Sequence, residues 1–129
     1  MPAGVRMTAP APAPAGADTY LFLGNSFVFG EALSDRETLA AQFAHSTGFK
    51  VRAVNLGVPG YSLNHLVRAI EAGLLAGYAE GPVKAVVTWL VPEQLERVTG
   101  DAPWPASSPC YVLKKYASGE GRLFLSSVS

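Results

Sequence analysis

Three short strand-like runs, each closed by glycine or proline and separated by stretches of helical period, limit what this chain can fold into. Tyr20-Leu21-Phe22-Leu23 is wholly apolar and stops at Gly24. Val51 to Asn55 leads into Gly57, and Ala85-Val86-Val87-Thr88-Trp89-Leu90-Val91 stops at Pro92. Continuous apolar stretches of this length fit strands buried on both faces of a parallel sheet. Between the first two runs, Ser34-Asp35-Arg36-Glu37 reads as a capping box that opens a helix. Leu39, Ala40, Phe43 and Ala44 form its apolar stripe, and Gly48 marks a left-handed stop. Leu63, Leu66, Val67, Ile70 and Leu74 form a second stripe, capped by Ser62 or Asn64. Gly81-Pro82 ends that unit, and Glu93 to Val98 begins a third helix. Strand–helix alternation implies right-handed crossovers and helices on both faces of one sheet. The expected fold class is therefore α/β, a three-layer αβα arrangement with a parallel sheet.

Composition narrows the function. The chain has 129 residues, which allows one domain. The expected boundaries are a disordered Pro/Ala-rich leader over 1–18 and the domain over 19–129. Past Gly100, Pro103, Pro105, Ser107, Ser108 and Pro109 read as loop, and Leu123 to Leu125 as a late strand. Formal net charge is +0, which gives nucleic acid and anionic membrane surfaces nothing to hold. No apolar run approaches the ~20 residues of a membrane span. Arg6 is followed by Pro/Ala alternation rather than a signal-type apolar region, so cytoplasm is the expected compartment. Cys110 is the single cysteine, which rules out an intrachain disulfide. His45, His65 and Cys110 make no metal-ligand set, and no phosphate-binding glycine loop is present, so no metal or cofactor is expected. A small nucleotide-binding domain remains a weaker alternative.

In a parallel sheet, ligands bind beyond the carboxyl ends of the strands. Three segments should therefore share one rim: Gly24-Asn25-Ser26, Gly57-Val58-Pro59-Gly60, and Pro92-Glu93-Gln94. A serine behind a glycine at a strand end can expose its hydroxyl and its amide together. A Gly-x-Pro-Gly turn lets backbone approach a ligand closely. Taken singly, each is an ordinary turn or helix cap.

Taken together, Gly24-Asn25-Ser26-Phe27-Val28-Phe29-Gly30-Glu31 and Asn55-Leu56-Gly57-Val58-Pro59-Gly60-Tyr61 resemble the first two blocks of the SGNH/GDSL hydrolase superfamily. The resemblance covers roughly Tyr20 to Val98. It implies a flavodoxin-like SGNH-hydrolase fold and a serine esterase or acyl-transfer activity on small ester or O-acyl carbohydrate substrates. Carried over by position, Ser26 is the nucleophile, the amides of Ser26 and Gly60 are oxyanion donors, and Asn25 supports the turn. Asn25 stands where the family usually has aspartate. Pro92 falls near the family's oxyanion-hole asparagine and has no N–H to donate; Gln94 is the nearest replacement. The Asp-x-x-His block that supplies the base has no counterpart here, so the sequence resembles an incomplete domain.

The other polar residues have plainer readings. His45 and His65 fall at helix ends, and Glu93 and Glu96 suit a solvated first turn. Cys110 reads as a small hydrophobe, Trp89 as core, and Trp104 as undetermined. A non-catalytic fragment or interaction module with the same fold is the alternative function. Either version would expose a sheet edge through which copies could associate.

Overall fold

The computed structural model describes residues 5, 6, 8, 13–99, 110–115, 118 and 121–126. Strands β1 (Thr19–Gly24), β2 (Arg52–Gly57) and β3 (Val83–Thr88) form one parallel sheet in the order β2-β1-β3. The fold is α/β, as the alternation predicts.

The central strand has apolar side chains on both faces, so helices must cover both. Phe22 points into a cluster with Val28, Ala40, Ala44 and Ala53. Leu21 and Leu23 point the other way, against Val54 and Leu66. Helices α1 (Ser26–Phe29) and α2 (Leu39–Ser46) supply the first cluster. Helix α3 (Leu63–Glu71) and a 3-10 turn at Leu74–Tyr78 supply the second. The alanines of α2 keep that helix close to the sheet, and the Phe43 ring packs at 4.8 Å from Tyr20 and 5.5 Å from Phe22.

The helix starts differ from the sequence expectation in one instructive place. The Ser34–Glu37 capping box forms, but it closes a separate 3-10 turn over Asp35–Glu37. Thr38 then caps α2, its hydroxyl accepting from the Ala41 amide at 3.3 Å. Two capping residues four apart cannot both start one helix, and the apolar stripe begins at the second. In α3, Ser62 is the N-cap and Leu66 is buried, yet Val67 and Ile70 are 40% and 54% exposed, and Leu74, 60% exposed, falls past the helix in the 3-10 turn. That stripe has the period of a core face, but only one of its turns meets the sheet.

Helix α4 (Glu93–Thr99) begins where expected. The expected late strand at Leu123 to Leu125 lies within β5 (Gly121–Ser126), and a further strand, β4 (Cys110–Lys115), not expected from the sequence, follows directly after Pro109. β4 pairs antiparallel with β5 in a second, two-stranded sheet. Cys110 is thus the first residue of β4, and Trp104 lies outside the described residues. Among the described residues no helix is long and apolar enough to cross a membrane.

Within the expected leader, Val5, Arg6 and Thr8 lie against the domain. Arg6 bridges Asn55 in antiparallel sense, and the Thr8 hydroxyl donates to the Ala53 carbonyl. The Arg6 guanidinium donates to the carbonyls of Phe29 at 2.8 Å, of Gly30 at 2.5 Å, and of Leu33. It pairs with Asp35 at 2.8 Å and lies 4.9 Å above the Phe29 ring. A four-residue helix such as α1 has little internal hydrogen bonding, so its last carbonyls need outside donors. Arg6 provides them.

Candidate nucleophile site

The rim is built by strands that end together. Leu23 pairs with Leu56 and with Thr88, and Gly24 pairs with Gly57. The Val58 amide donates to the Gly24 carbonyl at 2.9 Å, which locks the loop after β2 to the loop after β1.

Ser26 opens α1 directly past β1 and is half-buried. As the first helical residue its amide has no acceptor within the helix. Asn25 is the N-cap. Its side-chain oxygen accepts from the Phe27 amide at 3.0 Å, a role that asparagine and aspartate fill equally. Asn25 is 1% exposed, and its amide nitrogen has no partner among the described residues. That is the cost of asparagine here, since a carboxylate would present acceptors only.

Gly60 sits in a turn of definite type. Pro59 and Gly60 are its central residues, Gly60 has φ +84°, and the Tyr61 amide donates to the Val58 carbonyl at 3.1 Å. Proline followed by a left-handed glycine is the pattern of a type II turn. The turn is exposed, and the Gly60 amide is not one of its internal donors.

The third segment reaches the same place through Gln94. This side chain is buried, and its nitrogen donates to the Tyr61 carbonyl at 3.4 Å. Its oxygen has no partner among the described residues. The amide nitrogen expected to substitute for an oxyanion donor is therefore directed at Tyr61. Pro92 lies in the turn that starts α4, where the Leu95 amide donates to its carbonyl at 3.0 Å. Glu93 and Glu96 are exposed in the first turn, as expected of a solvated helix start. Trp89, expected in the core, is 50% exposed because β3 has ended one residue earlier.

Neither histidine serves Ser26. The His65 ring accepts from the Ser62 amide at 3.0 Å through Nδ1, which also lies 3.0 Å from the Ser62 hydroxyl. It stacks on Tyr61 at 4.3 Å. With Nδ1 accepting, the neutral ring carries its proton on Nε2. His45 is exposed, with its ring edge-on to Phe49 at 5.7 Å.

Burial holds the His65 pKa below its ordinary value of 6.5. The unfolded chain then binds a proton more readily than the folded one, so stability is full above 6.5 and declines as pH falls below it. Denaturation midpoints measured between pH 7.5 and 5 should fall with pH by a component that His65→Gln removes, because glutamine at this position keeps the capping box. An unchanged slope in His65→Gln would assign the dependence to other groups.

The contacts of two residues that hold the site escaped sequence reasoning. Asn55 is buried in β2; its oxygen accepts from the Gly57 amide at 3.0 Å and its nitrogen donates to the Phe29 carbonyl at 3.3 Å. It ties the second strand to the Ser26 helix. The available signal was an amide side chain inside an otherwise buried strand, one residue before the rim. Arg6 is the other, and nothing in a Pro/Ala-rich segment marks its target.

Comparison of the chain with protein-family models, with curated proteins and with solved structures gives no match.

Proposed function

We propose that this chain carries the nucleophile half of an SGNH-type serine ester-hydrolase site. Ser26 supplies the attacking oxygen, and the amides of Ser26 and Gly60 receive the oxyanion. The observation behind this reading is one piece of geometry. A serine opens a helix at the carboxyl end of the central strand, and the Val58–Gly24 hydrogen bond fixes the Gly60 turn to the same rim. The order β2-β1-β3 is also that of flavodoxin-like sheets, which agrees with the fold this family uses. In the reaction, Ser26 Oγ bonds to the ester carbonyl carbon and the alcohol departs. A base outside the described residues carries the hydroxyl proton to the departing alcohol, and water then cleaves the acyl–Ser26 ester, releasing the acid and restoring the hydroxyl.

A second reading, a non-catalytic module with the same fold, draws on Pro92 and on the engagement of His65 with Ser62 rather than Ser26. A fluorophosphonate probe separates the two, because it needs an activated serine. Covalent labelling of the folded chain that is lost in Ser26→Ala is the expected result. A folded chain that takes no label, and turns over no p-nitrophenyl ester, is the non-catalytic module.

A further inference from the structure

A cavity of about 500 Å³ lies between the rim end of β1 and the α3 side of the sheet. Its size is that of a small-molecule site. Leu23, Leu56, Leu66 and Leu75 form an aliphatic wall, of which Leu23 and Leu66 are buried. The stacked Tyr61–His65 pair, Tyr78 and the exposed Arg68 bring polar groups to the lining. Arg68 is in no ion pair among the described residues.

We infer that this cavity binds a single aliphatic chain ending in a carboxyl group. The leucine walls bury the chain, and the guanidinium of Arg68 takes the head. Arginine suits a carboxylate in particular, because its donors form a planar fork. The site shares Gly24 with the Ser26 turn, but ligand binding does not require Ser26 to react.

The test is calorimetric titration of the full chain with hexanoate, decanoate, decanol and methyl decanoate. Decanoate should bind saturably, and hexanoate at least about tenfold more weakly, since each buried methylene contributes about a threefold to fourfold factor. Arg68→Gln, an exposed substitution that leaves the walls intact, should reduce decanoate to the affinity of decanol and leave decanol unchanged. Decanoate should bind more tightly than methyl decanoate; equal affinities would show that Arg68 does not recognise the carboxylate and overturn the inference. Ala69→Phe places a ring in the cavity and should abolish binding. Leu74→Asp, at an exposed lining position, provides the same test without risk to the core and should weaken decanoate at least about tenfold. Failure of decanoate to bind the folded chain, or equal affinities for hexanoate and decanoate, overturns the inference. So does binding unaffected by Leu74→Asp and Arg68→Gln. Decanoate binding to a chain that takes no fluorophosphonate label leaves this inference standing and removes the nucleophile reading alone.

Discussion

Gly57→Ala should destabilise the domain by about 3 kcal/mol, the upper end for overpacking a folded interior. A Cβ at this position would lie 2.2 Å from the Phe29 amide nitrogen, 2.7 Å from Phe29 Cα and 2.7 Å from the Val28 carbonyl carbon. All three are backbone atoms of α1, so no side-chain rotation relieves the clash. Either α1 lifts off the sheet or β2 bends away from it. The first breaks the Asn55–Phe29 bond, and the second breaks the Val58–Gly24 lock. Both displace Ser26 relative to Gly60. Urea denaturation should show the lower midpoint, and any fluorophosphonate reactivity at Ser26 should fall with it even where the chain remains folded. Gly77→Ala is the matched control. A Cβ there meets nothing within 4 Å, so its effect should be under about 1 kcal/mol and of stabilising sign. Equal midpoints for the two variants would mean that α1 does not rest on the end of β2.

Leu21→Ala should cost about as much for a different reason. Leu21 is 0% exposed, in the strand that has a neighbour on each side, with Val54 on one and Val86 on the other. Truncating a fully buried leucine typically costs 2–5 kcal/mol, part from lost transfer and part from the cavity left. Here about 3 kcal/mol is expected, because Val86 is 45% exposed and the site can partly collapse from that side. Small domains have roughly 5–15 kcal/mol in total, so thermal unfolding should move down by well over ten degrees. Val86→Ala, on the neighbouring strand and the same face, should cost less than about 1 kcal/mol. A reversed order of the two would place the core under β3 instead of β1.

β1 and β2 were legible because burial leaves an apolar run that Gly24 and Gly57 close; β3, expected as a buried strand over Ala85 to Val91, is an edge strand with Val83 and Val86 exposed and ends at Thr88, four residues before Pro92. The rim followed from topology: parallel strands in register must present their next residues on one side. That is how Ser26, Gly60 and Gln94 could be assigned to a common edge from sequence. Periodicity was a poorer guide to burial. The Val67, Ile70 and Leu74 stripe has helical spacing, yet spacing records a face and not what covers it. β4 was hidden behind Pro103, Pro105 and Pro109, which read as loop, whereas its partner β5 shows as the apolar run Leu123 to Leu125. Asn55 was legible as the start of its block but its partner was not, and Arg6 was illegible altogether, because each acts across a long sequence separation on a backbone carbonyl, and a carbonyl carries no residue identity to recognise.

The antiparallel contact of Arg6 and Thr8 along β2 has a consequence for assembly. A three-strand sheet has two lateral edges, and that segment occupies one of them. Pairing of copies through the outer edge of β3 would then be monovalent. A sheet with one open edge pairs with one copy and stops, whereas a sheet open on both sides can go on adding copies. Arg6 and Thr8 thus limit growth of this sheet to a pair, and removing their contacts would let it extend from both sides.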